Sequence, residues 1–69
     1  MSWISRLNEL YPGKAIFKPQ EVAELFAISE STVKNMCFTL EIDAVKVGSQ
    51  WRICRADLVK YINKITDNR

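Results

Sequence analysis

Two apolar helical stripes that almost touch along the chain constrain its fold more than any other feature. The first begins at Pro19, whose missing N–H costs nothing at a first helical position, and continues through Val22, Leu25 and Phe26. The second is announced by Ser29, which can accept from the exposed N–H groups of a new helix, with Glu30 favouring its positive end. Val33, Met36, Cys37 and Leu40 then recur at i, i+3, i+4 and i+7, so all four are expected on the buried face. Only Ala27, Ile28 and Ser29 lie between the stripes.

Two helices joined by so short a turn form a helix-turn-helix, whose second helix can enter a DNA major groove. At 100° per residue, Ser31, Lys34, Asn35 and Phe38 point away from the buried face of that helix, whereas Glu21 and Glu24 of the first face water. Lys18 stands where a capping Ser or Thr would normally be, a poor cap that hints at another use for the position.

On the amino-terminal side, Ser2 can cap a short amphipathic helix carrying Trp3, Ile4, Leu7, Leu10 and Tyr11, which Pro12-Gly13 ends. This helix is expected to cover an open side of the core, or alternatively to join two subunits through residues such as Trp3 and Leu7. On the carboxy-terminal side, VKVGSQWRI reads as two strands around a polar tip. A two-residue loop, Gly48-Ser49, would set Lys46 opposite Trp51 and mix core with surface. A three-residue loop, Gly48-Ser49-Gln50, sets Val47 opposite Trp51, Lys46 opposite Arg52 and Val45 opposite Ile53, and is therefore the expected register. Two like charges directly opposite cost up to about 1 kcal/mol unless an anion lies against them, and a phosphate would remove that cost. A last helix, about residues 55 to 66, carries Leu58, Tyr61, Ile62 and Ile65 and closes the core, with Arg55 beside the ribbon base.

The 69 residues suffice for one small domain, divided as a helix and turn over 1–13 and a winged unit over 14–69. A net charge of +2 means that any basic footprint must be local. Histidine is absent and Cys37 and Cys54 are far apart, so no metal site and no cofactor are expected, and both cysteines read as reduced thiols in a cytosol. No apolar run approaches the roughly 20 residues of a membrane span. An enzyme is the poorest option: there is no histidine, no cysteine beside a base and no phosphate-cradling glycine loop.

The fold class is thus mainly α with a small β-hairpin, a winged helix-turn-helix preceded by a short amphipathic helix. Pro19, Glu21-Val22-Ala23-Glu24-Leu25, Ser29, Thr32-Val33, Val45-Lys46-Val47-Gly48, Trp51-Arg52-Ile53 and Arg55-Ala56-Asp57-Leu58 follow one another in an order that resembles the excisionase-type DNA-binding domains related to the MerR class. The resemblance spans about residues 17 to 62. It implies a non-enzymatic, bacterial or phage-encoded cytoplasmic protein whose partner is double-stranded DNA, with self-association on DNA and an integrase as further partners. It also implies that Ser31, Thr32, Lys34 and Asn35 probe the major groove, Asn35 by a bidentate contact to adenine. Lys46, Gln50 and Arg52 would hold the wing against a minor groove or backbone, and Lys18 and Arg55 would neutralise phosphates.

The chain departs from the family pattern in having Lys34-Asn35 for an aromatic-Arg pair, Leu40 for a Gly, Asp43 for a Pro and Gln50 for a basic wing tip. Few cations mean weak binding by one copy and a shallow salt slope. The resemblance points first to an excision factor of a mobile element that binds and bends attachment-site DNA cooperatively. A small transcriptional repressor, a DNA-packaging subunit, and a protein-interaction module acting through Phe38 and the first helix are the other readings.

Overall fold

The computed structural model describes residues 2–66, so Met1 and residues 67–69, the outer ends of the two expected segments, lie outside the described residues. Along the chain come α1 (Trp3–Leu10), β1 (Ile16–Phe17), α2 (Pro19–Phe26), α3 (Glu30–Phe38), β2 (Val45–Val47), β3 (Gln50–Cys54) and α4 (Arg55–Thr66).

Local chemistry sets the helix limits. The Ser2 hydroxyl accepts from Ser5 N–H at 3.0 Å, and Ser29 from Thr32 N–H at 3.2 Å, each satisfying a donor that the first turn leaves open. Helix α2 has no side-chain cap at Lys18. Instead the Glu21 carboxylate reaches back to accept from Lys18 N–H at 2.9 Å. Both α2 and α3 end in the same way. Ile28 N–H donates to Ala23 O and Ala27 N–H to Glu24 O; Glu41 N–H donates to Met36 O and Leu40 N–H to Cys37 O. Each is a Schellman closure, and each puts a non-glycine residue in the left-handed region, Ala27 at φ 57° and Leu40 at φ 63°. Because α3 has already ended, Leu40 is 68% exposed and does not join Val33, Met36 and Cys37 on the buried face, contrary to the helical spacing.

The core is assembled from every element except β2. Leu7, Phe17, Val22, Leu25, Val33, Cys37, Ile53, Leu58 and Ile62 are fully buried, as is Ile42 from the loop after α3. Side chains of this size contribute about 1.5–3 kcal/mol each on leaving water. Helix α1 lies over α2 and α4. Leu7 fills the core, Trp3 meets Phe26 edge-on at 5.1 Å, and Arg6 Nε donates to Leu25 O at 2.8 Å. Leu7 is therefore unavailable to a partner, which corrects its inclusion among candidate interaction residues.

The sheet is antiparallel in the order β1-β3-β2. Strand β1 is only two residues long and has no sequence signal of its own. It pairs Ile16 with Cys54 and Phe17 with Ile53, which turns Ile53 and Phe17 together into the core. That anchors the facing of β3. Strand β2 then joins through the two-residue loop Gly48-Ser49, with Val45 opposite Arg52, Lys46 opposite Trp51 and Val47 opposite Gln50. Gly48, at φ 65°, supplies the positive φ that such a loop needs at its first position. The expected three-residue loop does not form, and Lys46 and Arg52 do not face one another. Val45 and Val47 stand outward, 55% and 62% exposed, instead of forming an inner apolar face. The reason is physical: β2 is an edge strand with no core beneath its valines, so turn geometry decides its register.

Candidate nucleic-acid interface

Three elements converge on one cleft. Lys18 and Gln20 come from the start of α2, Glu30 and Lys34 from the first turns of α3, and Ser49, Gln50, Trp51 and Arg52 from the hairpin. Together with Pro19 they line a hollow of about 350 Å³ that carries three cations against one carboxylate. Helix packing brings Lys18 and Lys34 near each other, and the β1–β3 pairing swings Arg52 towards both.

The cations are held differently. Lys18 makes no ion pair among the described residues. Lys34 Nζ lies 3.3 Å from Glu30 Oε2, one helical turn away, with both side chains about half exposed. Such a surface pair is worth only about 0.3–0.5 kcal/mol, so a phosphate can replace the carboxylate at small cost. Arg52 is the most constrained. Its Nη1 donates to Trp51 O at 2.7 Å and its Nη2 to Gln50 Oε1 at 2.6 Å. Lys46 lies on the other face of the hairpin, its Nζ 5.5 Å from the centroid of the Trp51 ring. The wing therefore carries one cation on each face. Like-charge crowding relieved by an anion is absent, and that reason for a phosphate at the ribbon falls away.

The outward face of α3 carries Ser31, Lys34, Asn35 and Phe38, all exposed, Phe38 by 75%. Thr32 is exposed too, but its hydroxyl lies 2.7 Å from that of Ser29 and belongs to the cap. Trp3 is half-buried against Phe26.

Arg55 departs from expectation. Its Nη1 donates to Tyr11 O at 2.7 Å and Lys14 O at 2.8 Å, and its Nη2 to Asn8 Oδ1 at 2.7 Å. Its own N–H bonds Ala15 O at 2.7 Å. The guanidinium thus ties the turn after α1 to the start of α4, and it does not extend the cationic face of the wing.

Sequence reasoning overlooked Gln20, Glu30, Ser49 and Trp51 as parts of the cleft. Glu30 had a usable signal, a carboxylate four residues before Lys34 on one helix face. Trp51 was assigned to the core alone. In the structure it is half-buried, packing on the core while bordering the cleft. Among the described residues, no group of three or more His, Cys, Asp or Glu side chains could hold a metal ion, and no helix is long and apolar enough to cross a membrane.

A helix pair closed by a tight turn, a second helix with a bare polar face, and a hairpin that flanks it define a winged helix-turn-helix DNA-binding domain. A family model described as a helix-turn-helix domain matches residues 16–66, and the chain belongs to that excisionase-like family. No curated protein and no solved structure matches the chain.

Proposed function

We propose that the protein is a sequence-specific DNA-binding accessory factor of a mobile element, an excisionase or recombination directionality factor. The observation that carries the reading is the cleft in which Lys18, Lys34 and Arg52, from three elements, meet beside the polar face of α3. In this reading Ser31 and Asn35 read base edges in the major groove, and Asn35 is the residue suited to adenine. Lys18, Lys34 and Arg52 engage the backbone, and Lys46 adds a contact from the opposite face of the wing. Arg55 has no part. The division of the chain into a helix and turn over 1–13 and a winged unit over 14–69 belongs to the same reading.

Three cleft cations give one copy a small electrostatic footprint, so useful occupancy requires several copies along an attachment site, an integrase beside them, or both. Copies placed side by side also supply bending, since each fixes the local path of the duplex. The test is to recover duplex fragments with the purified protein, sequence them, and measure affinity against salt. Clustered repeats, with occupancy rising more steeply on a repeated site than on one repeat, support the excision role. A single operator-like site with no such steepening favours a small repressor. K18A/R52A should weaken binding to all sequences and flatten the slope of log affinity against log salt by roughly 1.8, about 0.9 for each lost phosphate contact. An unchanged slope would remove the cleft from the interface.

A further inference from the structure

Gln50 opens β3 directly after the Gly48-Ser49 loop, so the tip of the wing carries an uncharged side chain. What it has instead is an acceptor. Gln50 and Arg52 share one face of β3, and the 2.6 Å bond from Arg52 Nη2 to Gln50 Oε1 spans them. The 2.7 Å bond from Nη1 to Trp51 O fixes the other arm of the guanidinium. Both residues border the cleft that also holds Lys18 and Lys34. A guanidinium has five donors in a rigid fork, so two fixed bonds set its plane and leave three donors for a ligand.

We infer that Gln50 is a positioning residue for Arg52: it holds the guanidinium plane across the cleft so that the remaining donors meet a backbone phosphate, and it makes no DNA contact of its own. This rests on the proposed DNA-binding role of the cleft and deepens it. The fork is ordered before DNA arrives, so the entropy of fixing a long cationic side chain is not lost on binding.

A double-mutant cycle tests this, with Q50A, R52A and Q50A/R52A assayed by fluorescence anisotropy on labelled duplex over a range of salt. Circular dichroism checks that all variants remain folded. Q50A should weaken binding roughly threefold to tenfold in the wild-type background, the usual cost of fixing one rotamer-rich side chain. It should do so without changing the salt slope, because the charge of Arg52 remains. In the R52A background the same substitution should have almost no effect, and R52K should erase it too, since an ammonium has no plane to orient. An equal loss from Q50A in both backgrounds would show that Gln50 meets DNA directly, and no loss in either would show that the clamp is idle; each overturns the inference while leaving the DNA-binding role standing. An R52A variant that binds every duplex as the wild type does would sink the cleft's role, and the inference with it.

Discussion

The helix pair and the hairpin both border the cleft, yet they hold their side chains there by different means. In α2 and α3 the positions of Lys18 and Lys34 follow from a period of 3.6 residues and from caps a few residues away. In the hairpin, the side on which Lys46 or Arg52 falls depends on a partner more than thirty residues upstream, because β1 sets the facing of β3 through the Phe17–Ile53 pair. Local rules therefore suffice for one half of the site. The other half is decided by tertiary pairing and by a turn that outweighs the apolar pattern of a three-residue edge strand.

The sharpest way to break this comparison is to cut the link from β1 to the wing. Ile53 is fully buried, and Ile53→Ala should cost about 2–5 kcal/mol, measured by urea unfolding, which leaves a domain of this size barely folded. Val47→Ser on the opposite strand should change stability by no more than about 0.5 kcal/mol, because Val47 is an exposed residue paired with Gln50. A loss above about 1.5 kcal/mol at Val47 would mean that it packs inward opposite Trp51, and that the register is the three-residue one after all.

Arg55→Ala comes next in size. It leaves two backbone carbonyls and Asn8 without the guanidinium, and hydrogen bonds from a charged donor are worth about 1.5–3 kcal/mol, less here because the side chain is partly exposed. The expected result is a lowered unfolding midpoint with DNA affinity of the folded fraction unchanged. Arg55→Lys should not restore stability, since a single ammonium cannot span the three acceptors. A loss of DNA affinity without a loss of stability would return Arg55 to the interface.

Most of the helical architecture was legible in the sequence, because each signal lay within one turn of its effect. Pro19, the Ser29 cap, and the Val22, Leu25, Val33 and Met36 stripes needed no knowledge of the rest of the chain. Strand β1 was illegible, since two residues carry no periodicity, and its only function is to pair with a strand that comes later. Arg55 was misplaced for a related reason. Its acceptors are backbone carbonyls of Tyr11 and Lys14, and a carbonyl leaves no mark in the sequence. The Arg52–Gln50 bond was hidden behind the wrong loop length, which put Gln50 in the turn instead of on the strand. Of the helix candidates, Lys18 and Lys34 meet Arg52 in one cleft, while Ser31, Thr32 and Asn35 lie outside its lining; Lys46, assigned the same face as Arg52, lies on the other.

A smaller effect probes where the helix rules stop. Leu40 and Ala27 both sit at positive φ, a conformation that costs an L-residue with a Cβ about 1–2 kcal/mol. Glycine gains freedom in the unfolded chain as well, which offsets part of the relief. Leu40→Gly and Ala27→Gly should therefore each stabilise by roughly 0.5–1 kcal/mol, read as a raised urea midpoint with unchanged slope. Destabilisation by Leu40→Gly would show that the leucine packs on something despite its 68% exposure.

The smallest expected effect separates the acid limb of the α2 start from the wing, which has no comparable carboxylate. Burial alone pushes the Glu21 carboxyl up, but the Lys18 N–H at 2.9 Å and the Lys14 ammonium at 3.1 Å outweigh it and hold the group below its ordinary 4.5. The folded chain thus keeps Glu21 ionised to lower pH than the unfolded chain does. Its contribution is complete above about pH 4.5 and is lost as pH falls through the folded value, where both states become protonated. Stability measured against pH should therefore show a shallower acid decline in Glu21→Gln than in the wild type, with the two curves converging at the acid end. In Gln50→Glu the decline due to Glu21 should persist, because the wing carboxylate would meet Arg52 and leave the α2 cap untouched. Parallel curves for wild type and Glu21→Gln would mean that the bond to Lys18 N–H does not depend on ionisation, and that α2 begins where it does because of Pro19 alone.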